Sequence, residues 1–179
     1  GMERDYDYTA AVHAEDLLAP EAVGRSAGEK AVSRLKPRKA RSAQVPMIYD
    51  PRVSRSLLGH LSGAINGASV ARGTTFLKGK LGERLFPENV TVVDDALRRR
   101  GLRSKPFDGE GVANARRALI ADGRLTSWML DCASARQLGL ETTGHAARGT
   151  GGPPSPSSTN LYLQAGTLPV KELIADIKQ

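Results

Sequence analysis

The residues of this 179-residue chain that could do covalent, acid–base or metal chemistry are three histidines, one cysteine and a few close carboxylate pairs. His13, His60 and His145 are too far apart in sequence to argue for a metal site, which needs at least three protein ligands for zinc. His60 alone, inside Gly59-His-Leu-Ser-Gly-Ala, reads as a packed or hydrogen-bonded helix histidine. Cys132 follows Asp131 at the start of a predicted helix, where a helix N-terminus can lower a thiol pKa, but it is read as a buried, inert cysteine. Asp94-Asp95 and Asp108-x-Glu110 have the chemistry for cation binding or proton transfer, and their places at a strand end and in a Gly-rich turn read as surface features. Gly109-x-Gly111 is too short for a nucleotide-binding loop, and Gly149 to Gly152 lacks the Lys-Ser/Thr of a phosphate-binding loop. On residue type and spacing, no catalytic residue and no metal ligand is assigned.

The elements that would position these groups centre on residues 50–82. Asp50 is a good N-cap and Pro51 fits the first helical position, where its missing N–H has no partner to lose. Val53, Leu57, Leu58, Leu61, Ala64, Ile65 and Ala68 recur at three- and four-residue intervals and predict one apolar helix stripe. Gly59, Gly63 and Gly67 fall every fourth residue and line up as a groove for close packing, either on a strand of the same domain or on a partner subunit. A helix is expected over 20–35, closed by Pro37, after an extended lead-in at 1–16. Val45–Tyr49 and Val90–Val93 are predicted strands. Residues 98–107 form a loop. Asp122-Gly123 between apolar runs predicts a two-residue type I′ hairpin, which would put Arg117 opposite Trp128 for a cation–π stack. A short helix over 132–138 should end at Gly139, a long Gly/Pro/Ser/Thr loop should run from Thr142 to Thr159, and a strand should follow at 160–164. Pro169 opens a last helix with Val170, Leu173, Ile174 and Ile177 on one face. Hairpin and separated strands without crossover helices predict an α+β fold, a largely antiparallel sheet with covering helices.

Composition sets the outer bounds. Aromatics are 4% of residues, so the core must be aliphatic, with Trp128 its one large anchor. The longest uncharged run, Ser56 to Ala71, is shorter than the roughly 20 apolar residues of a membrane helix. The acidic start has no apolar run and does not read as a signal peptide, and one cysteine excludes an internal disulfide, so a cytoplasmic location is expected. The net charge of +7 belongs to the middle: residues 34–105 carry +11, against −4 before and 0 after. Its two clusters, Arg34 to Arg41 and Arg98 to Lys105, could neutralise phosphates. With no interleaved aromatics and no zinc-finger or RNP pattern, nucleic acid is not expected as the partner.

Taken together, Met2-Glu-Arg-Asp-Tyr, Arg34-Leu-Lys-Pro-Arg-Lys, Gly59-His-Leu-Ser-Gly-Ala-Ile, Phe76-Leu-Lys-Gly-Lys-Leu-Gly, Phe107-Asp-Gly-Glu-Gly, Ala135-Arg-Gln-Leu-Gly, Thr143-Gly-His-Ala and Thr159-Asn-Leu resemble the TldD/PmbA family, once called modulators of DNA gyrase, in its PmbA (TldE) branch. The resemblance runs over essentially the whole chain, while family members are considerably longer, so it implies an interior piece. It implies that residues 1–44 are the end of a central region, a helix and basic linker, and 45–179 the first part of the C-terminal domain. It also implies a two-subunit metallopeptidase acting on peptides, in which the TldD subunit carries His-Glu-x-x-x-His, two imidazoles for one zinc and a glutamate as general base. Aligned through Gly63, those histidine positions are Gly59 and Ala64 here and the glutamate position is His60. The expected function is therefore a non-catalytic subunit that binds peptide and a TldD-type partner, with the zinc in that partner and none in this chain. The expected contact residues are Gly59, His60, Gly63 and Gly67 on the helix and Thr143, Gly144 and His145 on the loop. A basic nucleic-acid- or gyrase-associated regulator and an independent metallopeptidase are the alternatives.

Overall fold

The computed structural model describes residues 1–175, which form two compact units divided between Met47 and Ile48; residues 176–179 lie outside the described part. In the first unit the expected helix forms as α1 (Pro20–Ser33), with proline in its first turn. The lead-in carries a short 3-10 turn at Ala14–Asp16 and is tied to α1 by two carboxylates. Asp7 accepts from Lys30 Nζ at 2.7 Å and from Ser26 Oγ, and Asp5 pairs with Arg34 at 3.3 Å. No residue of α1 is fully buried, so these polar ties rather than a core hold the lead-in against it.

In the second unit, α2 (Pro51–Ala64) starts where expected: Asp50 Oδ1 accepts from Arg52 N at 2.8 Å. The helix does not continue to Ala68. Asn66 stops it by capping a separate helix, α3 (Gly67–Arg72), with its side-chain oxygen on Ala68 N at 3.0 Å, while its amide donates to Pro156 O at 2.8 Å. Gly67 N donates to Met129 O at 2.8 Å, a sheet-like bond that replaces the helical continuation. The expected strand at Val45–Tyr49 is absent: the segment is exposed and has no ladder partner, and β-branched content makes no strand without a neighbour.

Four strands make the main sheet, β1 (Val92–Asp95), β2 (Arg116–Ala121), β3 (Arg124–Leu125) and β6 (Leu161–Leu163), in the order β3-β2-β1-β6 and antiparallel throughout. The Asp122-Gly123 turn has φ of 47° and 75°, both positive as type I′ requires, and pairs Ala121 with Arg124. The pairing lapses after Leu125, so Trp128 turns into the core and the expected stack on Arg117 does not form; a cation–π contact forms instead between Arg98 and the Tyr162 ring, at 5.1 Å. Helix α4 (Cys132–Leu138) is held by an Asp131/Ser134 capping box and ends at Gly139 with φ of 66°. The loop after Thr142 is not structureless: β4 (Ala146–Ala147) and β5 (Ser155–Pro156) close it as a small antiparallel ribbon. Helix α5 (Val170–Ala175) follows Pro169, its Val170, Leu173 and Ile174 exposed, while the expected Ile177 lies outside the described residues.

The core is aliphatic around Trp128, with Ile65, Val70, Leu119, Ile120, Leu125, Met129 and Leu130 packed between sheet, α3 and α4. Helix α2 joins it only through Leu58, Leu61 and Ala64. Val53 and Leu57, farther toward its N-terminus, stay 54% and 50% exposed, so that end of the apolar stripe has no cover among the described residues.

Candidate functional site

The α2 face is the first of two places where the expected contact residues collect. Its C-terminal half and the segment 76–86 enclose an apolar cleft of about 480 Å³, lined by Leu57, His60, Leu61, Phe76, Leu77 and Phe86 among others. Phe76 is 83% exposed at its rim. The three glycines do not act alike. A Cβ on Gly67 would lie 2.6 Å from Met129 O and from Leu130 Cδ2, so its bare backbone is what lets α3 meet the 129–134 segment, whereas Gly59 and Gly63 face open space. The phenylalanines were the lining the sequence pattern missed, although Phe76 opens one of the family-like blocks and sits one residue before the buried Leu77.

The second place is a buried hydrogen-bonded chain around His145. Its Nδ1 is 2.8 Å from Thr143 Oγ1 and its Nε2 3.2 Å from Asp94 Oδ2, with His145 4% and Asp94 1% exposed. Asp94 also accepts from Thr159 N at 2.8 Å and from its hydroxyl at 2.7 Å. Hydroxyl, imidazole and carboxylate in a row is the order of an acyl-transfer triad. Here the hydroxyl is spent on the backbone: Thr143 Oγ1 accepts from Leu130 N at 2.7 Å, and the ring is almost fully buried. The chain therefore works as a clasp, binding the ribbon segment to β1 and to Thr159 before β6. Gly144, with φ of 71° and Ala113 O only 3.1 Å from where a Cβ would sit, makes the bend between the two side chains. Among the described residues no hydrogen bond joins Gly59, His60 or Gly63 to this clasp, so the two sets are separate features. Asp94 and Thr159 are the partners that sequence reasoning missed, since 65 residues separate them.

The remaining carboxylates are also spent on backbone. Asp108 Oδ1 accepts from Glu110 N and Val112 N and its Oδ2 from Ala146 N, which fixes the Gly-rich turn to β4. Asp95 accepts from Leu97 N. Glu110 accepts from Cys132 N at 2.8 Å, and that carboxylate, with burial adding to it, pushes the Cys132 thiol above its ordinary pKa, the reverse of what a nucleophile needs. The donor set does not fit zinc either. Positions 59, 60 and 64 hold one imidazole, and among the described residues no group of three or more His, Cys, Asp or Glu side chains is arranged to hold a metal. No helix of the described residues is long and apolar enough to cross a membrane.

Comparison with known proteins places this geometry. The PmbA/TldA metallopeptidase C-terminal domain matches residues 42–179. The metalloprotease PmbA of Escherichia coli O157:H7 is 47% identical over 145 residues, 81% of this chain and 32% of that protein. Among solved structures, a protein described as a modulator of a DNA gyrase from Thermotoga maritima superimposes with a TM-score of 0.82 at 30% identity, over 92% of this chain and 37% of its own. TldE from Thermococcus kodakarensis does so with a TM-score of 0.79 at 26% identity, over 88% of this chain and 36% of its own. This chain thus spans about a third of the length of the relatives it matches, and its α+β arrangement is theirs. The chain belongs to the PmbA/TldD family of metallopeptidases.

Proposed function

We propose that this chain is part of the non-catalytic subunit of a TldD/TldE-type peptidase, which binds peptide and completes the active assembly while a TldD-type partner supplies the zinc. One observation carries the reading: the helix that the family resemblance aligns with a zinc helix has Gly59, His60 and Ala64 at the ligand and base positions, yet keeps an apolar face exposed beside Phe76 and Phe86. Such a face is suited to a packing role rather than a chemical one, because apolar area left in water contributes about 25 cal/mol per Å² once covered. The open backbone at Gly59 and Gly63 permits a close approach there. The boundary near residue 45 is proposed as the start of the C-terminal domain, supported by the division of the chain at Met47 and by the family match from residue 42. We place the assembly in the cytoplasm, where the free thiol of Cys132 would persist.

Co-purification of the tagged full-length protein from its native host tests this. A TldD-type subunit should come with it, and zinc should follow that subunit when the two are separated. Stoichiometric zinc in this protein alone would overturn the proposal in favour of an independent metallopeptidase.

A further inference from the structure

The turn at 98–103 and the residues leading into β6 enclose an open cavity of about 780 Å³, lined by Arg55, Arg98, Arg99, Arg100, Arg103 and Asn160 among others. No acidic side chain is among the described residues that line it. Asn160 builds the cavity. Its Nδ2 donates to Asp95 O at 2.7 Å and Ser104 Oγ at 2.9 Å, and its Oδ1 accepts from Arg103 N at 3.0 Å, so one amide locks both ends of the basic turn. Ser104 Oγ donates to Arg98 O at 2.6 Å, and Gly101 leaves the space that this amide fills, a Cβ there lying 2.8 Å from Asn160 Nδ2. Two guanidiniums are oriented from behind, Arg103 by Ser157 Oγ at 3.2 Å and Arg98 over the Tyr162 ring. Arg99 has no hydrogen bond or ion pair among the described residues. Arg98, Arg99 and Arg103 thus stand at a concave turn with no carboxylate among the described residues lining it, a field that favours an incoming anion.

The geometry points to a carboxylate-binding pocket that takes acidic side chains of a peptide, an assignment that rests on the peptide-binding role proposed above. The planar forks of Arg98, Arg99 and Arg103 match carboxylates two bonds at a time. Nucleic acid fits the pocket less well. A duplex offers its charges along a convex rod, about one per 1.7 Å of axis. A single strand wants a free aromatic platform, and the one ring nearby, Tyr162, already carries Arg98.

The test is fluorescence anisotropy with labelled hexaglutamate and hexaglutamine on the full-length protein at low salt. Hexaglutamate should bind and hexaglutamine should not; Arg99→Ala with Arg103→Ala should weaken hexaglutamate binding roughly tenfold or more. Arg38→Ala with Lys39→Ala, in the other basic cluster, should leave it unchanged. Equal weakening by both pairs, or equal binding of the two peptides, overturns the pocket. So does a single-stranded oligonucleotide that binds more tightly than hexaglutamate and loses that binding in the Arg99/Arg103 variant. These readings need no partner subunit, so cleavage of a neutral peptide by the two-subunit mixture can survive the pocket's failure, and the reverse.

Discussion

Three glycines at one sequence spacing have opposite roles, and only the neighbours of each residue decide which. Gly59 lies inside α2 with nothing within 4 Å of where its Cβ would be, so Gly59→Ala should stabilise the isolated chain by about 0.5–1 kcal/mol through helix propensity. Gly67→Ala forces a methyl against Met129 O and Ser134 Oγ and should cost about 1–3 kcal/mol. Urea denaturation of both variants checks the difference in sign; two losses would mean that α2 is not exposed as described. A four-residue repeat announced all three glycines and separated none, because the contact that matters to Gly67 comes from 62 residues away. Asp7 carries the pH dependence at this scale. Hydrogen bonds from Lys30, then Ser26 and Tyr8 N, lower its carboxyl from 3.8 to about 2. A depressed folded-state pKa means the tie contributes fully above about pH 4 and is lost as the pH falls through about 2. Hydrogen exchange of α1 should therefore differ between the wild type and Asp7→Asn at neutral pH and converge near pH 2; a difference that persists unchanged there contradicts the tie.

Elements defined by their own few residues were legible, and elements defined by a neighbour were not. Asp50-Pro51, Asp122-Gly123 and Gly139 each carry their conformation locally, and the α2 cap, the I′ turn and the α4 terminus stand where those residues put them. The strand expected at 45–49 had the right composition but no edge to pair with, and the end of α2 was set by Asn66 reaching Pro156, a bond spanning 90 residues. The hairpin turn is packed as well as bent: Gly123 accepts from Leu85 N at 2.8 Å, and a Cβ on it would lie 2.1 Å from Phe86 O. Gly123→Ala should therefore cost about 3 kcal/mol or more, from positive φ and overlap together, while Asp122→Gly should change stability by less than about 1 kcal/mol. Thermal melts of the two distinguish a packed turn from a merely tight one. The His145 clasp was half legible. Its Thr143-Gly-His motif was marked as one of the family-like blocks, but a loop residue's burial depends on Asp94 and Thr159, which no local pattern connects.

At the scale of the whole molecule, the fold class followed from hairpins without crossovers, and family membership from many short blocks in one order. The uncovered features are what the sequence could only suggest: the α2 cleft with Phe76 at its rim and the arginine turn beside β6. Elsewhere, among the described residues, His60 has no companion ligand, the Thr143 hydroxyl is bonded to backbone, and Glu110 raises the pKa of the Cys132 thiol. The proposed role, binding peptide and a TldD-type partner, calls on surfaces of this kind. The most direct measurement is peptide cleavage by the full-length protein alone, by a TldD-type subunit alone and by the two mixed. The account predicts no cleavage from this protein alone and full cleavage only in the mixture. Full activity from this protein by itself, or no gain when the second subunit is added, would contradict it.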